Sequence, residues 1–327
     1  MTTKRERLEA AFAGELIDRP PVSLWRHFPV DDQDPEQLAH STAAFQQRYD
    51  FDFVKVTPAS SFCLKDLGVE DVWRGSTEGT RDYEHRVIKK PSDWRSLPVL
   101  KPRKGNLVAQ LRCLELLRKQ LDPGVPFIQT VFSPLAQAKN LAGQDRLLEH
   151  LWRSPEDVLA GLETITRSTI SFVEAARGTS VAGIFYAIQH ATYRLFDRQT
   201  YARFGEPFDQ RILEAASGMW LNVLHLHGVA LMFELAAELP VQVVNWHDRV
   251  AGPSLPEGKA LVGGAVCGGL RRWDTLVLGD PAAVRTEAEQ AISSVERRGM
   301  ILGSGCVVPV IAPRSNLQAA RESVGFA

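Results

Sequence analysis

The sequence is short of cysteine, of net charge and of long apolar runs, and each shortage removes a class of protein. Four cysteines occur in 327 residues (Cys63, Cys113, Cys267 and Cys306), and none forms a CxxC pair. That is too few for a disulfide scaffold and suits a reducing compartment. A formal net charge of −1 gives no basic field to attract nucleic acid or an anionic membrane. No stretch of the chain reaches the roughly 20 apolar residues that a membrane span requires. The opening MTTKRERLEAAFAGE is charged and helix-forming and lacks the apolar core of a signal peptide, so a cytoplasmic protein is expected. Phosphate-cradling signatures are missing as well. The glycines of GGAVCGG and GSG form neither GxGxxG nor GxxxxGK(S/T), and they fit close backbone approach better than phosphate binding. No internal repeat, low-complexity tract or linker divides residues 1–327, which are expected to form one domain.

What the chain does have is an ordinary hydrophobic fraction, 44%, arranged in eight short runs. They are Pro21–Phe28, Phe51–Pro58, Pro126–Ser133, Val181–Gln189, Leu221–Gly228, Val241–His247, Ala260–Cys267 and Met300–Val307. Near-continuous apolar runs, rather than strict alternation, fit parallel strands buried on both faces. Helical sequence separates most of them. Ser154–Ala176 opens with Ser154 as N-cap, Pro155 at the first helical position and Glu156 and Asp157 in the first turn, and Asp280-Pro281 repeats the device for Asp280–Arg298. Eight such units predict a (β/α)8 barrel with an N-terminal helical extension. The polar stretch Ser76–Pro98 predicts a small hairpin-like excursion outside it, between the second and third strands.

In such barrels chemistry sits at the C-terminal ends of the strands. The fifth run ends LHLHG, and side chains two apart on a strand share a face, so His225 and His227 point into one site. The eighth ends GSGCVVP with Cys306 at its mouth, the sixth offers Asn245, His247 and Asp248, and the fourth offers Gln189 and His190 with Tyr186 deeper. Two histidines and a cysteine make a catalytic zinc set with an open fourth position, where a thiol would be bound and activated. Each residue also has an unremarkable alternative, since a buried histidine serves as a hydrogen-bonded core residue and a cysteine as a small hydrophobe. Cys267 is expected to be packing at the end of the seventh strand. Arg26, after an apolar run, is placed either to grip a carboxylate or to make a surface ion pair. Trp25 and Trp246 read as pocket wall or core.

Several blocks in order carry a resemblance: KRERLEAAFAGELIDRPPVSLWRH, FDFVKVTP, GIFYAIQHATYRLFDRQTYARFGEPFDQRIL and ILGSGCVVPVIAPRSNLQAARE. Over nearly its whole length the sequence resembles the uroporphyrinogen decarboxylase superfamily. One branch of that superfamily decarboxylates uroporphyrinogen without a cofactor. The other comprises zinc methyltransferases that pass a methyl group from a corrinoid to a thiol through a His-x-Cys and a distal cysteine. The decarboxylase pattern is departed from at Arg26-His27-Phe28-Pro29-Val30, at Lys55-Val56-Thr57-Pro58 and at Leu302-Gly303-Ser304-Gly305. The methyltransferase pattern is matched by His225 and Cys306, with His227 where that branch has cysteine.

The resemblance therefore implies a zinc-dependent methyltransferase with metal ligands His225, His227 and Cys306. Arg26, Tyr186, His190 and His247 are expected around a small-molecule substrate. The chain has no Asp-x-His-x-x-Gly motif, so any cobalamin would arrive on a separate corrinoid protein. Two further readings stand beside it: a cofactor-free decarboxylase of a carboxylated aromatic, and a non-catalytic barrel that binds a corrinoid or a partner. The implied assembly is a monomer or homodimer, with no nucleic-acid or membrane partner.

Overall fold

Most of the apolar runs become strands, and the runs' composition explains why they lie side by side in parallel. In the computed structural model, which describes residues 2–325, nine strands form: β1 Val54–Val56, β2 Glu70–Val72, β3 Asp82–His85, β4 Phe127–Phe132, β5 Gly183–Ile188, β6 Val223–Leu226, β7 Val243–Trp246, β8 Ala265–Leu270 and β9 Met300–Ser304. Seven of them form one parallel sheet in the order β1-β4-β5-β6-β7-β8-β9, curled into a half-barrel. Strands β4, β5 and β8 are buried along their whole length, as strands covered on both faces must be.

The first expected strand is a correction. Of Pro21–Phe28 only a bridge forms, between Val22 and Leu302. Ser23 N–H donates to the Leu302 carbonyl (2.9 Å), Leu302 N–H donates to the Pro21 carbonyl (2.8 Å), and Asp52 N–H donates to the Val22 carbonyl (2.9 Å). Pro20 and Pro21 have no N–H to give, which stops a regular ladder there. The sheet therefore has seven strands where eight were expected. The seventh run is also shifted. Ala260 and Leu261 end a helix, Leu255–Leu261, that starts at a Ser254–Glu257 capping box with Pro256 in its first turn. Strand β8 begins only at Ala265, so Cys267 lies within it rather than at its end.

Helices follow their sequence signals. The long one spans Pro155–Arg177, although the Ser154 side chain makes no capping hydrogen bond. Asp280 does cap Pro281–Ser294, accepting the Ala283 N–H at 2.8 Å. The N-terminal helix Lys4–Phe12 is capped by Thr3 and Glu6. Among the described residues no helix is long and apolar enough to cross a membrane.

The excursion is an antiparallel hairpin of β2 and β3, starting earlier than expected. It does not stand clear of the sheet. Asp82 and Glu84 face solvent while Tyr83 turns inward and hydrogen-bonds Ser60 (2.9 Å). Glu78 pairs with Arg272 and accepts from Trp273 Nε1 (2.8 Å), pinning the hairpin across the strand ends.

Candidate metal and substrate site

Strand register assembles the centre of the site. Phe132, Ala187, His225, Asn245 and Cys267 stand opposite one another on β4 through β8 and form one rung. His227 and His247 follow the ends of β6 and β7, and Cys306 follows β9. The donor atoms of His225, His227, His247 and Cys306 all lie within 4.8 Å of one another. Glycine at 305 permits this closeness. A Cβ there would stand 2.7 Å from His247 Cα and 2.9 Å from the Trp246 carbonyl oxygen, so any larger residue would push the Cys306 loop off β7.

Hydrogen bonding settles how His225 faces the cluster. Asn245 Nδ2 donates to the carbonyls of Cys267 (2.8 Å) and Ser304 (3.0 Å), which turns its Oδ1 toward His225. That oxygen accepts from His225 Nδ1 at 2.7 Å, so the proton is on Nδ1 and the Nε2 lone pair is free. His225 Nε2 stands 3.4 Å from His227 Nδ1, and Cys306 Sγ stands 3.8 Å from the same atom. Zn–N bonds of about 2.0–2.1 Å and Zn–S bonds of about 2.3 Å place tetrahedral donors roughly 3.3–3.6 Å apart, so the set fits zinc. His247 Nε2 is buried and has no hydrogen-bond partner among the described residues, which leaves a fourth donor beside the other three.

The electrostatics agree. Burial opposes ionisation of Cys306, but the imidazoles of His225, His227 and His247 outweigh it and hold the thiol well below its ordinary value. Burial also keeps His225 neutral, pulling its pKa down despite the nearby thiolate. For His227 the Cys306 contact overcomes burial and raises the pKa.

His225, His227 and Cys306 form one wall of a cavity of about 650 Å³, and its other walls are aromatic and cationic. Trp25, Phe132 and Phe185 supply the apolar lining. Lys55 on β1 is 6% exposed, with its ammonium 4.5 Å from the Phe185 ring centre and 5.9 Å from that of Trp25. It donates to Thr57 Oγ1 (3.2 Å) and has no carboxylate partner among the described residues. Burial pulls its pKa down to about 7, opposed only by Cys306. Lys139, on the helix Pro134–Ala142, also lines the cavity, and burial lowers its pKa too.

The other expected site residues are distributed unevenly. His247 joins the donor cluster and Gln189 lines the cavity. His190 is buried beside it, both ring nitrogens without partners, its pKa pushed down to about 3 by burial and then by Lys139 and His227. Arg26 is not brought in, since its guanidinium donates to the carbonyl of Val310 (3.2 Å) and lies over the Phe28 ring. Tyr186 lies on the opposite face of β5, where its hydroxyl donates to Asp209 at 2.5 Å and Tyr201 donates to the same carboxylate. Asp248 accepts the Gly269 N–H (3.1 Å), and Cys267 is buried in β8 outside the cluster. Trp246 is fully buried, and its Nε1 donates to the carbonyl of Pro253. The sequence reading passed over Lys55 and Lys139 as site residues. The signal was a lone lysine inside an apolar strand (FVKV) and another in an apolar helix (LAQAKNLA).

Comparison with known proteins adds the family. Among solved structures, a methyltransferase from Methanosarcina mazei matches with a TM-score of 0.86 at 18% identity, covering 98% of this chain and 99% of that one. A B12-independent methionine synthase from Shewanella sp. W3-18-1 matches with a TM-score of 0.61 at 11% identity, over 94% of this chain and 96% of that one. A putative vitamin-B12-independent methionine synthase from Listeria monocytogenes gives 0.54 at 12% identity, over 96% of each chain. At these identities the likeness is one of fold. No curated protein sequence matches the chain. The family model of uroporphyrinogen decarboxylase matches residues 3–325. The chain belongs to the uroporphyrinogen decarboxylase family.

Proposed function

We propose that the protein is a zinc-dependent methyltransferase that moves a methyl group between a corrinoid or small methylated donor and a thiol. The observation that carries this reading is the donor cluster, with the Nε2 lone pair of His225 already aimed into it by Asn245. His225, His227 and Cys306 would hold the metal, and bound zinc would supply the Lewis acidity that makes a thiol ionise near neutral pH. His247 Nε2, unpartnered and within the cluster, is placed to take the thiol proton. Trp25, Phe132 and Phe185 exclude water from the reacting side of the cavity. Cobalamin, where it is the donor, would come on a separate corrinoid protein. The same reading takes Pro21–Ser23, bonded to both β9 and the start of β1, as the stave that closes an eight-part barrel.

Metal analysis of the purified protein beside a His225→Ala/Cys306→Ala double variant tests the site. About one zinc per chain, lost in the variant, is the expected result. No metal in either protein would overturn it. The unpaired Lys55 favours a second reading, cofactor-free decarboxylation of a carboxylated aromatic. Turnover of such an acid by metal-free protein would establish that reading instead.

A further inference from the structure

The cavity contains more positive charge than its own acids neutralise. Five cationic side chains line it: Lys55, Arg81, Arg86, Lys139 and Arg272. Three are already engaged. Arg81 pairs with Asp71 (3.0 Å), Arg86 donates to the carbonyls of Asn140 (2.7 Å) and Lys139 (3.3 Å), and Arg272 pairs with Glu78 and donates to the Val307 carbonyl. The two carboxylates of the lining are engaged too, Glu78 with Arg272 and Asp82 with Arg74. Lys55 and Lys139 are left without an ion pair among the described residues.

A buried ammonium without a counter-charge is costly, and proteins hold such groups where a ligand supplies the missing charge. The remaining unsatisfied polar atoms of the lining point the same way. Trp25 is 2% exposed, and its Nε1–H, which can only donate, has no partner among the described residues. Buried His27 Nδ1 and Gln144 Nε2 are also unpartnered, and both residues line the cavity. Apart from the Cys306 thiolate, and His27 Nδ1 in one of its two tautomers, the spare groups of the cavity are donors and cations, which is complementary to an acceptor-rich anion. Its aromatic walls add an apolar body to that description.

We propose that Lys55 and Lys139, with Trp25 Nε1, form an anion subsite that grips the carboxylate or sulfonate head of a small organic acid while its remainder lies toward His227 and Cys306. The proposal rests on this cavity being the substrate site and does not require methyl transfer or a metal. It also moves the anchoring role expected of Arg26 onto β1 and the helix Pro134–Ala142, since Arg26 is turned to Val310.

The test is a ligand-observed NMR titration of the purified protein with three probes of one shape: 3-phenylpropionate, 2-phenylethanesulfonate and neutral 3-phenylpropionamide. At least one anion is expected to bind about tenfold more tightly than the amide, a ratio in the range of one charge-assisted hydrogen-bonded pair. Whichever anion binds better names the head group. In Lys55→Met and in Lys139→Met the preference shrinks, and in the double variant it vanishes. Methionine fills the lysine volume without its charge, so folding is preserved, and each single variant serves as a check on the other. Metal content is measured on the same samples, so a failed zinc site and a failed anion subsite give different results. Equal binding of all three probes to the wild type, or an undiminished preference in the double variant, overturns the proposal.

Discussion

The two sides of the cavity hold their polar groups on opposite terms. On the β6, β7 and β9 side, His225, His227, His247 and Cys306 lie together, and Asn245 ties His225 to the carbonyls of Cys267 and Ser304. On the β1 and β4 side, Lys55 and Lys139 face the same space with almost nothing to bind. The first side is wired to itself and needs only a cation at its centre. The second is unwired and needs an anion. A site that places a metal-ready cluster opposite uncompensated ammonium groups is built for a ligand with two different ends.

That contrast can be broken from either side. The largest effect is expected from Cys306→Ala, which removes the one anionic donor. Metal binding should be lost, and methyl transfer should fall on the order of a thousandfold, checked by elemental analysis and rate. Asn245→Leu should come next. It leaves all four donors in place but releases the His225 ring, and metal affinity should fall roughly 10–100-fold in a chelator competition. Lys55→Met sharpens the other side through pH. The folded-state pKa of Lys55, about 7, lies below its ordinary value of 10.5. The folded protein therefore binds the proton less well than the unfolded chain, and stability is lost as pH falls from 10.5 toward 7. The urea midpoint of the wild type should fall over that window relative to Lys55→Met, and parallel curves would refute the buried charge. Tyr186→Phe should have the smallest effect. It loses one of two hydroxyls on Asp209, costing about 1 kcal/mol of stability with unchanged metal content.

The fold was legible where apolar runs and caps agreed, as in β4, β5 and the Asp280-capped helix. It was misread where local chemistry overrode hydrophobicity. Pro20 and Pro21 removed the donors at the start of the first run, and the Ser254–Glu257 box drew Ala260 and Leu261 into a helix. For the site, the two-residue spacing of His225 and His227 was readable because strand alternation is local, and Cys306 was readable from the strand end it follows. Tyr186 shows the limit of that logic. It lies one position from cavity-lining Phe185 and Ala187, and a period of two places it against Asp209 instead. The lysines were harder because an unpaired charge is defined by partners it lacks, and those come from distant segments.

Asn245 shows how the backbone can decide where a proton sits. Two peptide oxygens, of Cys267 in β8 and Ser304 at the end of β9, claim its NH2 group, and a planar amide must then present oxygen on its other side. That oxygen admits only an N–H from the imidazole of His225 on β6. No ionisable group stands between those carbonyls and His225, so the tautomer of the neutral ring does not follow the pH of the medium. The lone pair that faces the cluster is thus set by the sheet's own peptide bonds for as long as the ring is neutral, the state that burial favours.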